Sequence, residues 1–405
     1  MVERKTVQNI FTTMAGKVLI LLGSFGTMAL SARFWGAEGR GVIALYVANL
    51  SLATIFSNIF TNSSACYYSP RVGAAKLWLQ VSLWTFGVSA LAAPLLQGTA
   101  SPLLTLVFFV AATLSGMITF YLSVFLGRQQ VPYYNVVTVL EPVLTLLLML
   151  LLRYTVCPSY FAYFYAQVLA YALCTLVCHV LLHREGVSLH AEWSWQCFRQ
   201  NFLFGIQEET GTFLQFLNYR LPYYFLSYYC GLASIGVFSI GVALSESIWV
   251  ISRSISLVQY SNLLNPDRKD AGKAVSDTLQ LSVYSLVLSA VCVVVALLLP
   301  SEVYIFVFGP EFVSLKWIIL LLSPGILLVS AAKVYGHYFS ALGQLRVLVV
   351  SSACGAVVSL GLSALCIRQG NITGACLATV GAHLCCSAVL IVWFFRARRR
   401  VNGRD

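Results

Sequence analysis

The sequence predicts an all-α polytopic membrane protein with about twelve transmembrane helices, in two six-helix lobes related by a parallel internal repeat. Three observations carry this expectation. The composition is too apolar for a water-facing surface, the apolar runs have helical length, and a glycine-marked motif occurs once in each half.

Of the 405 residues, 59% are hydrophobic and only 10% are charged, and the mean hydropathy is +0.83. A soluble domain carries about 25% charged residues, so this chain cannot cover a hydrated surface. One crossing needs roughly 20 apolar residues. The runs here are continuous and Leu-rich, unlike the weak alternation of a membrane β-barrel. They place spans at 11–32, 41–66, 76–97, 103–126, 133–152, 159–182, 201–228, 232–259, 278–300, 312–340, 345–367 and 373–395. The polar, basic segment 1–10 is followed by no clear small-residue cleavage site, so the first run reads as a retained anchor.

The longest polar interruptions are 183–200 and 261–277. The first divides the chain into an N-terminal lobe (1–182), a cytoplasmic linker (183–200), a C-terminal lobe (201–397) and a basic tail (398–405). With the N-terminus in the cytosol, 16 Lys and Arg residues fall in inside loops and helix ends, against four outside: Arg33, Arg40, Arg153 and Arg368. The remaining five of the 25 lie within spans. Short cytoplasmic loops collect positive charge, so both termini are expected inside. The same rule accounts for the net charge of +11 without a nucleic-acid partner. The Arg-rich tail suits anionic membrane lipids. The 12 Cys are scattered through apolar segments, with no CxxC and no His/Cys ligand set, so no disulfide framework, metal or cofactor is expected.

The repeat pairs Gly36-Ala-Glu-Gly-Arg-Gly41-Val42 with Gly231-Leu-Ala-Ser-Ile-Gly236-Val237, at a spacing of 195 residues, and extends to Val47/Val242 and Ala48/Ala243. A weaker echo pairs Leu126-Gly127 with Leu342-Gly343, 216 residues apart. Six is even, so both lobes start from the same side of the membrane. Parallel repeats of this kind build transporters with their substrate site between the halves.

At these residues the chain resembles a known family. Arg33-Phe-Trp-Gly36-Ala-Glu-Gly-Arg-Gly41 resembles the turn after span 1 in polysaccharide flippases of the MOP exporter superfamily. Leu217-Asn218-Tyr219-Arg220-Leu221 is similar to their span 7 motif, Ala243-Leu-Ser-Glu246-Ser-Ile-Trp249 to their span 8 pattern, and Gly374-Ala-Cys-Leu-Ala378-Thr379 to the start of their last span. Length and span count favour the Wzx type over the fourteen-helix lipid II flippases. The resemblance implies a multi-pass protein of the bacterial cytoplasmic (inner) membrane that moves undecaprenyl-pyrophosphate-linked oligosaccharide repeat units between leaflets by alternating access. It implies a lipid-linked glycan substrate, coupling to H+ or Na+, and cooperation with polysaccharide assembly proteins. The chain departs from the family at Pro222, where the pattern often has an acid, which leaves the counter-ion of Arg220 open.

Charges inside spans cost at least about 2.5–3.5 kcal/mol at the bilayer centre, so they face a cavity or a partner. Here they are Lys17, Glu141, Glu208, Glu209, Arg220, Glu246, Arg253, Lys316 and Lys333. Arg220 is the first candidate for the pyrophosphate, because a guanidinium binds phosphate in bidentate fashion and stays charged when partly dehydrated. Pairing with Glu246 or Glu208 is the alternative, and Pro222 is expected to break or kink the helix. Lys17 and the Lys333/His337 pair, one helical turn apart, extend a cationic path. Asn218, inside the span 7 motif, completes the substrate set. Glu246 and Glu141 are the coupling-ion candidates, with structural pairing as the alternative. Among Tyr219, Tyr223, Tyr224, Tyr228 and Tyr229, the last two read as interface anchors.

Two other readings compete. A multidrug exporter of the same superfamily tends to need a membrane carboxylate near its substrate, and span 1 contains none. A glycan polymerase or ligase needs a long external loop, and the longest here is 301–311. A non-enzymatic flippase is therefore expected.

Overall fold

The computed structural model describes residues 4–97, 101–187, 192–264 and 271–402, with side chains for those between 16 and 399 except 271. Part of the expected linker (188–191), the segment containing Arg268 and Lys269 (265–270) and the end of the tail (403–405) lie outside the described residues. So do the side chains of Arg4, Lys5 and Arg400.

Every regular element among the described residues is helical. They are α1 (Arg4–Thr61), α2 (Ser63–Val72), α3 (Ala74–Gln97), α4 (Pro102–Gly127), α5 (Val131–Thr155), α6 (Phe161–Arg184), α7 (Trp195–Cys230), α8 (Leu232–Leu263), α9 (Ala271–Leu298), α10 (Ser301–Phe308), α11 (Leu315–Ala341) and α12 (Leu345–Asn402). A short 3₁₀ turn, Pro310–Phe312, precedes α11. Nine segments among the described residues are long and apolar enough to cross a membrane. Two of them, containing α1 and α12, are interrupted at single residues, Gly36 (φ 65°) and Asn371 (φ 50°), and each is long enough for two crossings. The long helix left out is α7, which carries Asn201, Glu208, Glu209, Asn218 and Arg220. With α7 the total is the expected twelve.

The expected span 41–66 is broken. Helix α1 ends at Thr61, Asn62 turns away (φ −96°, ψ −118°), and α2 restarts at Ser63. The run Asn58 to Ser64 explains it, because short polar side chains compete for backbone groups. Thr61 Oγ1 donates to Asn58 Oδ1 (3.1 Å) and Ser64 Oγ to the Ile59 carbonyl (2.8 Å).

Helices α4 and α11 end alike, each in a positive-φ residue with a six-to-one hydrogen bond, the Schellman closure that satisfies the last carbonyls. Gln129 (φ 60°) is followed by Gln130 N–H donating to Phe125 O (2.8 Å). Gly343 (φ 70°) is followed by Gln344 N–H donating to Phe339 O (2.9 Å). These caps are equivalent at a spacing of 214 residues. The Leu-Gly match in the sequence is therefore two residues out of structural register, since the conformation of the cap, not the glycine itself, is what repeats.

The chain forms two compact units: residues 1–35 with 46–212, and 36–45 with 213–405. In the first, α4 packs against α2, α3, α5 and α6. Its interior holds Tyr46 against Phe108 and Phe164, with ring centroids 5.5 and 4.4 Å apart. In the second, α11 packs against α8, α9 and α12, with Tyr335 on Phe394 at 4.5 Å. Each of these central helices is the fourth membrane-length segment of its half.

The glycine repeat has a geometric basis inside the second unit. Gly36 and Gly231 both adopt positive φ (65° and 81°), which glycine does without steric cost, and a new helical segment starts after each. Five residues on, Gly41 and Gly236 bring these segments into backbone contact. A Cβ on Gly41 would overlap the Leu232 carbonyl, and one on Gly236 would overlap the Ala37 carbonyl. Ala37 and Leu232 are themselves repeat equivalents, so the crossing has local two-fold symmetry. The Glu311 carboxylate accepts from Ala37 N–H (2.5 Å), placing an anion at the start of the segment after Gly36, where the helix dipole favours it.

Gly236→Val should therefore destabilise by about 1–3 kcal/mol, the usual cost of overpacking, read as a lower thermal unfolding midpoint of the purified protein. Gly361→Ala, where an added Cβ meets open space, should leave the midpoint unchanged or raise it.

Candidate functional site

Helices α7, α8, α11 and α12 of the second unit enclose a cavity of about 320 Å³. Helix α7 contributes Gln215, Asn218 and Tyr219, α8 contributes Arg253, α11 contributes Lys333 and His337, and α12 contributes His383 and Cys386. The wall is partly aromatic. Trp249, buried and donating from Nε1 to the Ile326 carbonyl (3.3 Å), stands 5.6 Å from the Tyr219 ring and 5.3 Å from His383. Lys333 Nζ lies 4.2 Å from the Trp249 ring centroid, a cation–π contact that lowers the cost of removing the ammonium from water. Among the described residues, neither Lys333 nor Arg253 has a carboxylate within 4.0 Å. The two cations lie within electrostatic range of each other, and Lys333 lies also within range of the Glu246 carboxylate. Like charges converging on one partly dehydrated space repel, and an anion in the cavity relieves that repulsion.

Of the residues picked from the sequence, the structure brings Lys333, His337 and Asn218 to this cavity. His337 Nδ1 donates to the Lys333 carbonyl (3.0 Å), as the four-residue spacing requires. Asn218, only 2% exposed, donates from Nδ2 to the Ser352 carbonyl (2.9 Å) and so fastens α7 to α12. Arg220 is not among the lining residues. Its Nη1 and Nη2 donate to Glu246 Oε1 and Oε2 (3.1 and 3.2 Å), with each side chain 27% exposed, and Nη1 also reaches the Tyr223 hydroxyl (3.3 Å). Of the two roles open to Arg220, the structure shows the ion pair with Glu246. Helix α7 runs through Pro222 without ending, so the break expected there is absent.

Lys17 and Glu141 sit in the first unit. Lys17 is exposed on α1. Glu141 is hydrogen-bonded by the Tyr171 hydroxyl, which in turn accepts from Gln167 Nε2 (3.0 Å). Lys316 is half-buried one residue after the start of α11. Tyr219 lines the cavity, Tyr223 is buried beside Arg220, and Tyr228 is 82% exposed.

Two lining residues escaped the candidate set. Arg253 was visible as a charge within a span but not chosen. His383 is 5% exposed, with its Nε2 lacking a hydrogen-bond partner. Its one sequence signal was an ionisable side chain in an apolar run, the default mark of a functional position in a membrane helix.

No family model matches this sequence, and no curated protein resembles it closely enough to count as a relative. Solved structures do resemble it. An inward-facing multidrug resistance MATE family transporter of the MOP superfamily matches 98% of this chain and 99% of its own, at 12% identity and a TM-score of 0.77. The lipid II flippase MurJ, in an inward closed conformation, matches 95% of this chain and 87% of its own, at 11% identity and a TM-score of 0.74. The fold is theirs. It is the multi-pass, all-helical architecture read from the sequence.

Removing one partner of the Arg220–Glu246 pair should cost more than removing both. Glu246→Gln strands a charge and should lower stability by about 2–4 kcal/mol, whereas the Arg220→Met/Glu246→Met double variant should recover much of that loss. Thermal unfolding of the four proteins of this cycle measures the coupling.

Proposed function

We propose that this protein is a flippase that moves undecaprenyl-pyrophosphate-linked oligosaccharide across the bacterial cytoplasmic membrane by alternating access. The observation that carries this reading is the pair Lys333 and Arg253, two cations with no carboxylate within 4.0 Å among the described residues, facing one aromatic-lined cavity. A pyrophosphate offers them negative charge at contact distance, through charge-assisted hydrogen bonds that are roughly twice as strong as neutral ones. Tyr219 and Gln215, at the same wall, suit the polar and stacking contacts of a sugar. The polyprenyl tail stays in the lipid.

One fold neighbour is named a lipid II flippase and another a multidrug transporter. The cavity's charge favours an anionic substrate over the cationic drugs that a membrane carboxylate would serve. Glu246 is already committed to Arg220, and Glu141 is the remaining coupling-ion candidate from the sequence.

The test is the leaflet distribution of lipid-linked oligosaccharide in cells with and without the protein. Complete repeat units held on the cytosolic face in its absence support flipping. Units that reach the outer face unpolymerised overturn it. Lys333→Gln and Arg253→Gln should each reduce outer-leaflet delivery by about tenfold, the loss of one charge-assisted contact, while protein level and unfolding midpoint stay near those of the parent. Efflux of a cationic drug that survives in both variants would favour the exporter reading.

A further inference from the structure

We propose that His383 and Ser387 of α12, with Asn218 of α7, form a subsite of the cavity for an acetamido group, so that the sugar entering with the phosphate is a 2-acetamido sugar. This rests on the anionic-substrate reading given above and adds a recognition that charge alone does not supply.

Three buried polar atoms go unanswered in one wall. His383 Nε2, Ser387 Oγ and Asn218 Oδ1 have no hydrogen-bond partner among the described residues, and the three residues are only 5%, 1% and 2% exposed. All three residues line the cavity of about 320 Å³. His383 and Ser387 are four apart on α12, so they share one face of that helix. Gly355 leaves room for Asn218 Oδ1, which an added Cβ would overlap. The neighbouring polar groups are committed to one another. Ser351 Oγ donates to the Cys386 carbonyl (2.9 Å), Cys386 Sγ to the Ser351 carbonyl (3.2 Å) and Asn218 Nδ2 to the Ser352 carbonyl (2.9 Å). A buried polar atom left unpaired costs free energy, and folded proteins pair nearly all of them. Three in the wall of one cavity point to a partner that arrives through it.

The chemistry of these atoms selects the partner. An amide oxygen only accepts, whereas a hydroxyl and an imidazole nitrogen can each donate. A phosphate or carboxylate would bring its own oxygens against the Asn218 oxygen. An acetamido group offers its N–H to that oxygen and its carbonyl to Ser387 or His383. Leu348 and Leu390 of α12 give apolar surface to its methyl. The placement agrees with a sugar 1-phosphate. Lys333 lies within electrostatic range of His383, so the cationic and uncharged contacts are neighbours, as a phosphate on C1 and an acetamido group on C2 are on one ring. The volume lies at the low end of the roughly 300–1,000 Å³ of small-molecule sites, which suits one sugar residue and not a whole oligosaccharide.

The purified full chain is titrated calorimetrically with N-acetylglucosamine 1-phosphate, glucose 1-phosphate and inorganic pyrophosphate. The N-acetylated sugar phosphate should bind about tenfold more tightly than glucose 1-phosphate, roughly what one satisfied polar contact gives. Ser387→Ala and His383→Phe should each bring the two affinities to within about threefold. The Ser387 hydroxyl has no partner to lose, so Ser387→Ala should keep the unfolding midpoint of the parent. Ser247→Ala, exposed on α8, should leave both affinities and their ratio unchanged. Equal affinity of the parent for the two sugar phosphates overturns the subsite and leaves the anionic-substrate reading standing, as does a preference that survives both variants. Failure of all three ligands to bind, pyrophosphate included, overturns that reading and the subsite with it.

Discussion

Charge buried among apolar helices must be answered locally, and this constraint orders the interior. Three answers occur in one chain. Arg220 meets Glu246 in a two-pronged pair. Lys333 rests on the face of Trp249. Glu209 accepts from the Asn62 amide and stands beside a second carboxylate, Glu208. These differ in what they leave for a ligand. The first is self-sufficient, because two opposite charges in bidentate geometry satisfy each other. The second lowers a desolvation cost without supplying a counter-charge. The third supplies neither. Function is therefore sought first where compensation is incomplete, and Arg220 in this structure is engaged by Glu246.

This also explains what the sequence could and could not reveal. The crossings were legible because hydropathy is a property of a segment and needs no partner. The Gly36/Gly41 and Gly231/Gly236 repeat was legible because positive φ and backbone contact each demand glycine itself, so geometry is written directly in residue type. The second echo was half legible. A Schellman cap accepts Gln129 as well as Gly343, and matching glycines slid the register by two. The partner of Arg220 was not legible beyond a choice between two glutamates, since the choice depends on how α7 packs against α8. His383 and Arg253 stood in plain view as letters. Their convergence with Lys333 depends on three helices, and no spacing within one helix encodes it.

The break at Asn62 shows local chemistry overriding a segmental average. Hydropathy over 41–66 is high enough to predict one uninterrupted span, yet the cluster from Asn58 to Ser64 redirects its own backbone. In lipid such a break persists only where other protein groups meet the freed polar atoms. Helix α7 is the group that does so. Its unusual polarity, which keeps it from registering as a membrane crossing, is the same property that lets it answer the break in α1 with Glu208 and Glu209 and the cavity wall with Asn218 and Tyr219.

Helix α7 thus carries two polar stretches of different character. Glu208 and Glu209 belong to the first unit, and Asn218 and Arg220 to the second, with the division falling between Thr212 and Phe213. From Glu209 to Asn218 is nine residues, about 13 Å of helix rise. Pro222 lies beyond both stretches and does not interrupt the helix. The polarity that makes α7 a poor ordinary span is what its packing uses twice, once at Asn62 after α1 and once at the Ser352 carbonyl of α12.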